Sequence, residues 1–139
     1  TTMKHNRRIW LFELCKEYKR QRREAALGGQ SLGEYELARR VLAKGCPFYD
    51  VSYAYARRVI SLMSRGCECP VKGPRRAMWI EIYEKVSDLR QRYGIGLSDA
   101  LCRVLTASRA SRYFLSQSRL YRLYLNEEYH SSDPRRSSR

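Results

Sequence analysis

The sequence predicts an all-α chain of about six helices, arranged as two tandem trihelical helix-turn-helix-like units. Three observations lead there. Apolar residues recur at i, i+3 and i+4 over long stretches, whereas period-two alternations are short, so helices win over strands. Gly, Pro and Ser clusters cut those stretches into short segments. Finally, the segments repeat. Arg40-Val41-Leu42, a turn at Gly45-Cys46-Pro47, then Tyr49-Asp50-Val51-Ser52 and Arg57-Arg58-Val59 form a first block. Arg103-Val104-Leu105, Ser108 to Ser111, Tyr113-Phe114-Leu115-Ser116 and Tyr121-Arg122-Leu123 form a second. The offset is 63 before the turn (Val41 to Val104) and 64 after it (Ser52 to Ser116), so the second turn is one residue longer. Upstream, Arg7-Arg8 with Glu13-Leu14 matches Arg75-Arg76 with Glu81-Ile82 at an offset of 68. Three ordered blocks indicate a tandem duplication.

Taken in order, the first helix is expected over Arg7 to Glu24, with Ile9, Phe12 and Cys15 on its apolar stripe and Trp10, Leu11, Leu14 and Tyr18 widening it. Its distal end is strongly basic, which suits a helix C-terminus; Arg22 and Arg23 there also form a ridge able to follow phosphates. Gly28-Gly29 ends it. The second helix runs from about Gly33 to Lys44, with Leu37, Val41 and Leu42 inward and Gly45 as its C-cap. Pro47 breaks the chain there, and Phe48 or Val51 plugs the core beneath the turn. Ser52 caps a third helix to about Arg65, burying Ala56, Val59, Ile60 and Met63.

The Gly- and Pro-rich stretch that follows marks a boundary. The expected division is a first repeat over 1–66, a linker over 67–74, a second repeat over 75–130 and a disordered basic tail over 131–139. Pro74 suits the first turn of a fourth helix ending at Gly94, with Met78, Trp79, Ile82, Tyr83, Val86 and Leu89 on its apolar face. Ser98 is expected to cap a fifth helix burying Leu101, Val104 and Leu105. Ser116 is expected to cap a sixth burying Leu120, Leu123 and Tyr124.

Charge points to the ligand class. The 139 residues carry 28 Lys and Arg against 14 Asp and Glu, a net +14. Divided at Pro70, each half has 14 basic and 7 acidic residues, so the excess belongs to the repeated unit. Of the basic residues 22 are Arg, whose planar fork matches phosphate. A polyanion is the implied partner, and nucleic acid is the commonest one, DNA ahead of RNA. In a trihelical helix-turn-helix unit the third helix enters the major groove and its outward side chains meet base edges. The expected contacts on the third helix (52–65) are Tyr53, Tyr55, Arg57, Arg58 and Arg65. Those on the sixth (116–126) are Gln117, Ser118, Arg119 and Arg122, with Arg112 on the approach and Arg22 and Arg23 on the first helix. Tyr53 and Tyr55 are equally suited to rest on sugar and phosphate or to stack on unpaired bases, as an RNA-binding or scaffolding subunit of a ribonucleoprotein or mobile-element complex would use them. Units this small also leave room for a protein partner or homo-oligomer.

Other chemistries find little support. Cys67-x-Cys69 with Cys46 and His5 lacks the second paired element of a zinc site. Two histidines, both near the ends, do not equip any of the eleven tyrosines as a strand-transfer nucleophile, and no paired carboxylates or phosphate-cradling Gly loop occur. The expectation is a non-enzymatic protein without metal or cofactor. No run reaches the length of a membrane span and no apolar leader opens the chain. Five cysteines, with Cys15 and Cys102 inside helical apolar patterns, read as reduced thiols and a cytoplasmic location.

The block Pro47-Phe48-Tyr49-Asp50-Val51-Ser52-Tyr53 with Arg57-Arg58-Val59, and its second copy at Tyr113, Leu115, Ser116 and Arg122, resembles small basic uncharacterised bacterial proteins from genomic and mobile-element contexts with tandem trihelical helix-turn-helix-like repeats. The second copy departs from it with Ser111 in place of Pro47, and the likeness implies no activity. In architecture the chain also resembles tandem Myb-type or homeodomain-like repeats, without the regularly spaced tryptophans of Myb; Trp10 and Trp79 stand one near the start of each copy.

Overall fold

The structure is a computed structural model that describes residues 7–46 and 48–131, with side chains through residue 128. It is all-helical: α1 (Arg7–Leu27), α2 (Glu34–Leu42), α3 (Tyr53–Ser64), α4 (Pro74–Tyr93), α5 (Leu97–Ala107) and α6 (Gln117–Ser131), with no strand among the described residues. His5, Pro47 and the tail from residue 132 onward lie outside them.

Local chemistry sets the ends of these helices. Ser52 accepts a hydrogen bond from the Tyr55 N–H at 3.3 Å, and Ser116 accepts from the Arg119 N–H at 3.1 Å, as expected of N-caps. Pro74 sits in the first turn of α4, where its missing N–H costs nothing, and Gly94 closes that helix. Gly29 and Gly66 end α1 and α3 with φ of 73° and 89°, a region that side chains disfavour. Each is followed by a residue whose N–H reaches back five positions, Gln30 to the Ala25 carbonyl at 2.8 Å and Cys67 to the Leu62 carbonyl at 3.1 Å.

Two expected caps are replaced. Ala43, not Gly45, caps the C-terminus of α2: its N–H bonds to the Arg39 carbonyl at 3.2 Å, and the Lys44 N–H bonds to the Val41 carbonyl at 3.1 Å. Helix α5 opens at Leu97 with Gly96 as N-cap, which places Ser98 inside the first turn. Ala100 N–H already reaches the Gly96 carbonyl at 3.0 Å, so the helix starts two residues ahead of where a cap at Ser98 would put it.

The helices group into two compact units. One, over residues 48–110, joins α3, α4 and α5; the other, over 7–46 and 111–131, joins α1, α2 and α6. The sequence pattern sets α1–α3 and α4–α6 as consecutive trios. In the structure the third member of each trio packs with the other two helices of the other trio. The chain therefore leaves the α1–α2 unit after α2 and returns to it only for α6.

In the α1–α2–α6 unit, Trp10, Leu14 and Tyr18 of α1 meet Leu37, Ala38, Val41 and Leu42 of α2 and Leu120, Leu123 and Tyr124 of α6. Tyr18 and Tyr124 stack with centroids 4.0 Å apart, and Trp10 meets Tyr113 edge-on at 5.5 Å. The Tyr113 N–H reaches the Leu42 carbonyl at 3.4 Å, fastening the segment before α6 to the end of α2. Fully burying side chains such as Leu14 and Leu120 contributes roughly 1.5–3 kcal/mol each. That packing holds a 15-residue helix that would be marginal alone.

The α3–α4–α5 unit has a parallel core: Met78, Trp79, Ile82 and Val86; Ala100, Leu101, Val104 and Leu105; Ala56, Val59 and Ile60. Val51 and Tyr49 are buried ahead of α3, and the Tyr49 hydroxyl donates to Glu81 Oε2 at 2.5 Å. The four buried residues of α5 stand 63 positions after those of α2, and Leu120, Leu123 and Tyr124 stand 64 after Ala56, Val59 and Ile60.

Burial on α1 differs from the expected stripe. Trp10, Leu14, Tyr18, Gln21 and Ala25 face inward, leaving Ile9 52% and Phe12 65% exposed. The register through Trp10 can be sustained for the whole helix, whereas the one through Ile9 and Phe12 runs into Lys16 and Lys19. Cys102 is exposed on α5, outside the core its neighbours form, and Met63 is only half-buried. No helix among the described residues is long and apolar enough to cross a membrane.

Candidate nucleic-acid interface

Helices α3 and α6 each bury one face in their unit and turn the other outward. On α3, Tyr53 is half-buried and Tyr55 is 47% exposed, its ring lying edge-on to Trp79 at 5.7 Å. Arg57 donates to Ser61 Oγ at 3.2 Å and Arg65 donates to the Ser61 carbonyl at 3.4 Å, so both lie back along the helix. Arg58 is exposed and reaches outward.

On α6, Gln117 is half-buried while Ser118, Arg119, Arg122 and Asn126 are exposed. Arg112, in the segment before α6, is exposed, sits 5.7 Å from the Phe114 ring and donates to the Tyr113 carbonyl at 3.3 Å. An open cleft of about 530 Å³ lies between the end of α2 and the start of α6, lined in part by Arg39, Ser111, Arg112, Ser116 and Gln117. Arg39 and Asn126 were missed by sequence reasoning. Asn126 lies one turn beyond Arg122 on the same face, a spacing that could have found it. Arg39 comes from a helix far away in sequence, and no local pattern signals it.

Ion pairing divides the arginines into two sets. Arg20 is held by Glu17 and Glu24, Arg39 and Arg40 by Glu36, Arg92 by Asp88 and Arg103 by Asp99. Hydrogen bonds from Arg39 hold the Glu36 carboxyl below its usual range. Arg22 pairs with Glu34 at 3.0 Å and lies over the rings of Tyr18 and Tyr124 at 5.7 and 5.5 Å, which makes it part of the packing of its own unit. Among the described residues no carboxylate lies within ion-pair distance of Arg8, Arg23, Arg57, Arg58, Arg65, Arg76, Arg90, Arg112, Arg119 or Arg122.

The α3 residues sit in one unit; Arg112, Gln117, Ser118, Arg119, Arg122, Arg22 and Arg23 sit in the other. The outward side of the N-terminal half of α1 borders a second open groove of about 780 Å³, lined in part by Arg8, Ile9, Phe12, Cys15, Lys16, Glu127 and Glu128. Burial, followed by the nearby charges of Glu127 and Glu128, pushes the Cys15 thiol up to about 11. Among the described residues no three His, Cys, Asp or Glu side chains gather into a metal-binding group. Comparison with protein-family models, curated proteins and solved structures finds no match to this chain.

Proposed function

We propose that this chain is a non-enzymatic nucleic-acid-binding protein that takes duplex DNA on the outward faces of α3 and α6, both built from one duplicated helical unit. One observation carries the reading. In a chain of net +14, the outward arginines Arg58, Arg119 and Arg122 have no carboxylate within ion-pair distance among the described residues, while Arg20, Arg22, Arg39, Arg92 and Arg103 are ion-paired. A guanidinium left unpaired on an ordered helix costs little to transfer onto a phosphate or a guanine edge, because no internal ion pair has to be broken first. Capture is electrostatic, and docking of the helix faces follows. Two binding faces on one chain raise the effective concentration of the second contact once the first has formed.

The test is fluorescence anisotropy of the full-length chain against duplex DNA, single-stranded DNA and structured RNA across a salt series. Duplex binding should weaken linearly in log–log form with salt, Arg58→Ala should reduce the slope by about one for a phosphate contact, and Arg119→Ala and Arg122→Ala should each weaken duplex binding. Unchanged affinity in both the Arg119 and Arg122 variants would overturn the reading.

The exposed Tyr55 ring favours a second reading, an RNA-binding or scaffolding subunit, since an aromatic face near arginines suits stacking on unpaired bases. Tighter binding to structured RNA than to duplex DNA in the same assay selects it.

A further inference from the structure

The two outward faces differ in what they can say to a duplex. Offsetting α6 by the 64 positions that align its buried residues with those of α3 pairs Ser118 with Ala54, Arg119 with Tyr55, Arg122 with Arg58 and Asn126 with Leu62. The α6 members are all exposed and fall within an arc of roughly 100° around the helix. Their span of eight positions is roughly 12 Å at about 1.5 Å per residue, which is also about the width of the major groove. Arg and Asn are the side chains that pair with two atoms of a guanine or an adenine edge, and Ser reads either.

On α3 the same arc holds one group of that kind. Ala54 and Leu62 carry no side-chain donor or acceptor, and Tyr55 packs edge-on to Trp79 of its own unit. Arg57 is turned back onto Ser61. Arg65, the C-cap residue on the same side, bonds back to the Ser61 carbonyl, which leaves Arg58, a charge suited to a phosphate.

We infer that the chain reads sequence with one head only: the Ser118–Arg119–Arg122–Asn126 face of α6 contacts base edges in the major groove of duplex DNA, and the α3 face adds sequence-independent backbone affinity through Arg58. This rests on the duplex-binding reading above and assigns different work to its two faces. The recognised site is then a single contiguous run of roughly three to four base pairs, from a 12 Å span at about 3.4 Å per pair, and not two half-sites.

Selection of bound duplexes from a random pool by the full-length chain tests it, with Arg119→Lys, Asn126→Ala and Arg58→Ala in parallel and circular dichroism confirming that each variant is helical. The expected result is one short motif. Asn126→Ala and Arg119→Lys should reduce the preference for that motif over a scrambled duplex by roughly tenfold or more. Arg119→Lys should retain its salt slope, because it keeps the charge and loses only the fork. Arg58→Ala should weaken selected and scrambled duplexes by the same factor and leave the motif unaltered. A motif repeated at fixed spacing, or one altered by Arg58→Ala, overturns the single-head assignment. Salt-dependent duplex binding with no motif also overturns it while leaving the parent reading standing. Absence of duplex binding overturns both.

Discussion

The exchange of the third helices makes a prediction that contiguous repeats would reverse. Leu120 of α6 and Ile60 of α3 are both fully buried. Truncating such a side chain to Ala costs about 2–5 kcal/mol, from lost transfer energy plus the cavity left behind. Taking about 3 kcal/mol, and about 4–8 °C of midpoint shift per kcal/mol for a unit of this size, Leu120→Ala should lower the melting of its unit by roughly 12–24 °C. Each unit contains one tryptophan, Trp10 beside Tyr113 and Trp79 beside Tyr55. Incorporating 5-fluorotryptophan therefore gives one fluorine resonance per unit without altering the core sequence, assigned by Trp10→Phe. Leu120→Ala should move the thermal midpoint of the Trp10 resonance more than that of Trp79, and Ile60→Ala should do the opposite. If Leu120→Ala instead acts first on Trp79, α6 belongs with α4 and α5, and the grouping described here is wrong.

Three further outcomes follow from individual residues. Ser116→Ala removes the acceptor for the Arg119 N–H and should cost about 1 kcal/mol in urea unfolding, whereas Ser116→Asp should not. Phe12→Ser should change thermal stability by no more than about 0.5 kcal/mol, because the ring is 65% exposed; a loss of several kcal/mol would mean that something covers it. The Cys15 thiol, raised from 9.0 to about 11 by burial and then by Glu127 and Glu128, should react with iodoacetamide more slowly at pH 8.5 than the exposed Cys67. The sign for stability follows from the same shift. Between pH 9 and 11 the unfolded chain has released this proton and the folded chain has not, so stability should fall as pH rises through that window, and Cys15→Ala should flatten the decline.

Residue patterns in the sequence were good guides to which faces are buried. The stripes of α2, α5 and α6 were legible because a 3.6-residue period leaves only one apolar arc on a short helix. Ser52, Ser116, Pro74 and Gly94 were legible because each satisfies a local need of the backbone. The α1 register was harder, since Ile9, Trp10, Leu11 and Phe12 supply apolar side chains all round the first turn, and only the continuation through Tyr18 and Gln21 selects the inward face. At the candidate interface, outward position was readable from the same period, but availability was not. Arg22 and Arg119 look alike in the sequence; Glu34, twelve residues from Arg22 and in another helix, is what removes the first from the pool of free charges.

The partnering of the helices was the least legible feature, and ring chemistry gives a physical reason for it. The equivalent buried positions on α3 and α6 all carry apolar or aromatic side chains, so either helix satisfies the burial pattern of either unit. The choice lies in particular side chains. Tyr18 of α1 stands where α4 has Val86, at the offset of 68, and Tyr124 of α6 stands where α3 has Ile60, at the offset of 64. As built, the two tyrosines stack at 4.0 Å with planes 14° apart, and Arg22 lies over both. A contiguous arrangement would set Tyr18 against Ile60 and Val86 against Tyr124, losing the ring pair, which contributes roughly 0.5–1.5 kcal/mol beyond area burial. A double-mutant cycle measures that term: Tyr18→Leu, Tyr124→Leu and both together, followed by urea unfolding on the Trp10 signal. A coupling of about 0.5–1.5 kcal/mol is expected between the two positions. A coupling near zero would mean that the rings do not choose the partner.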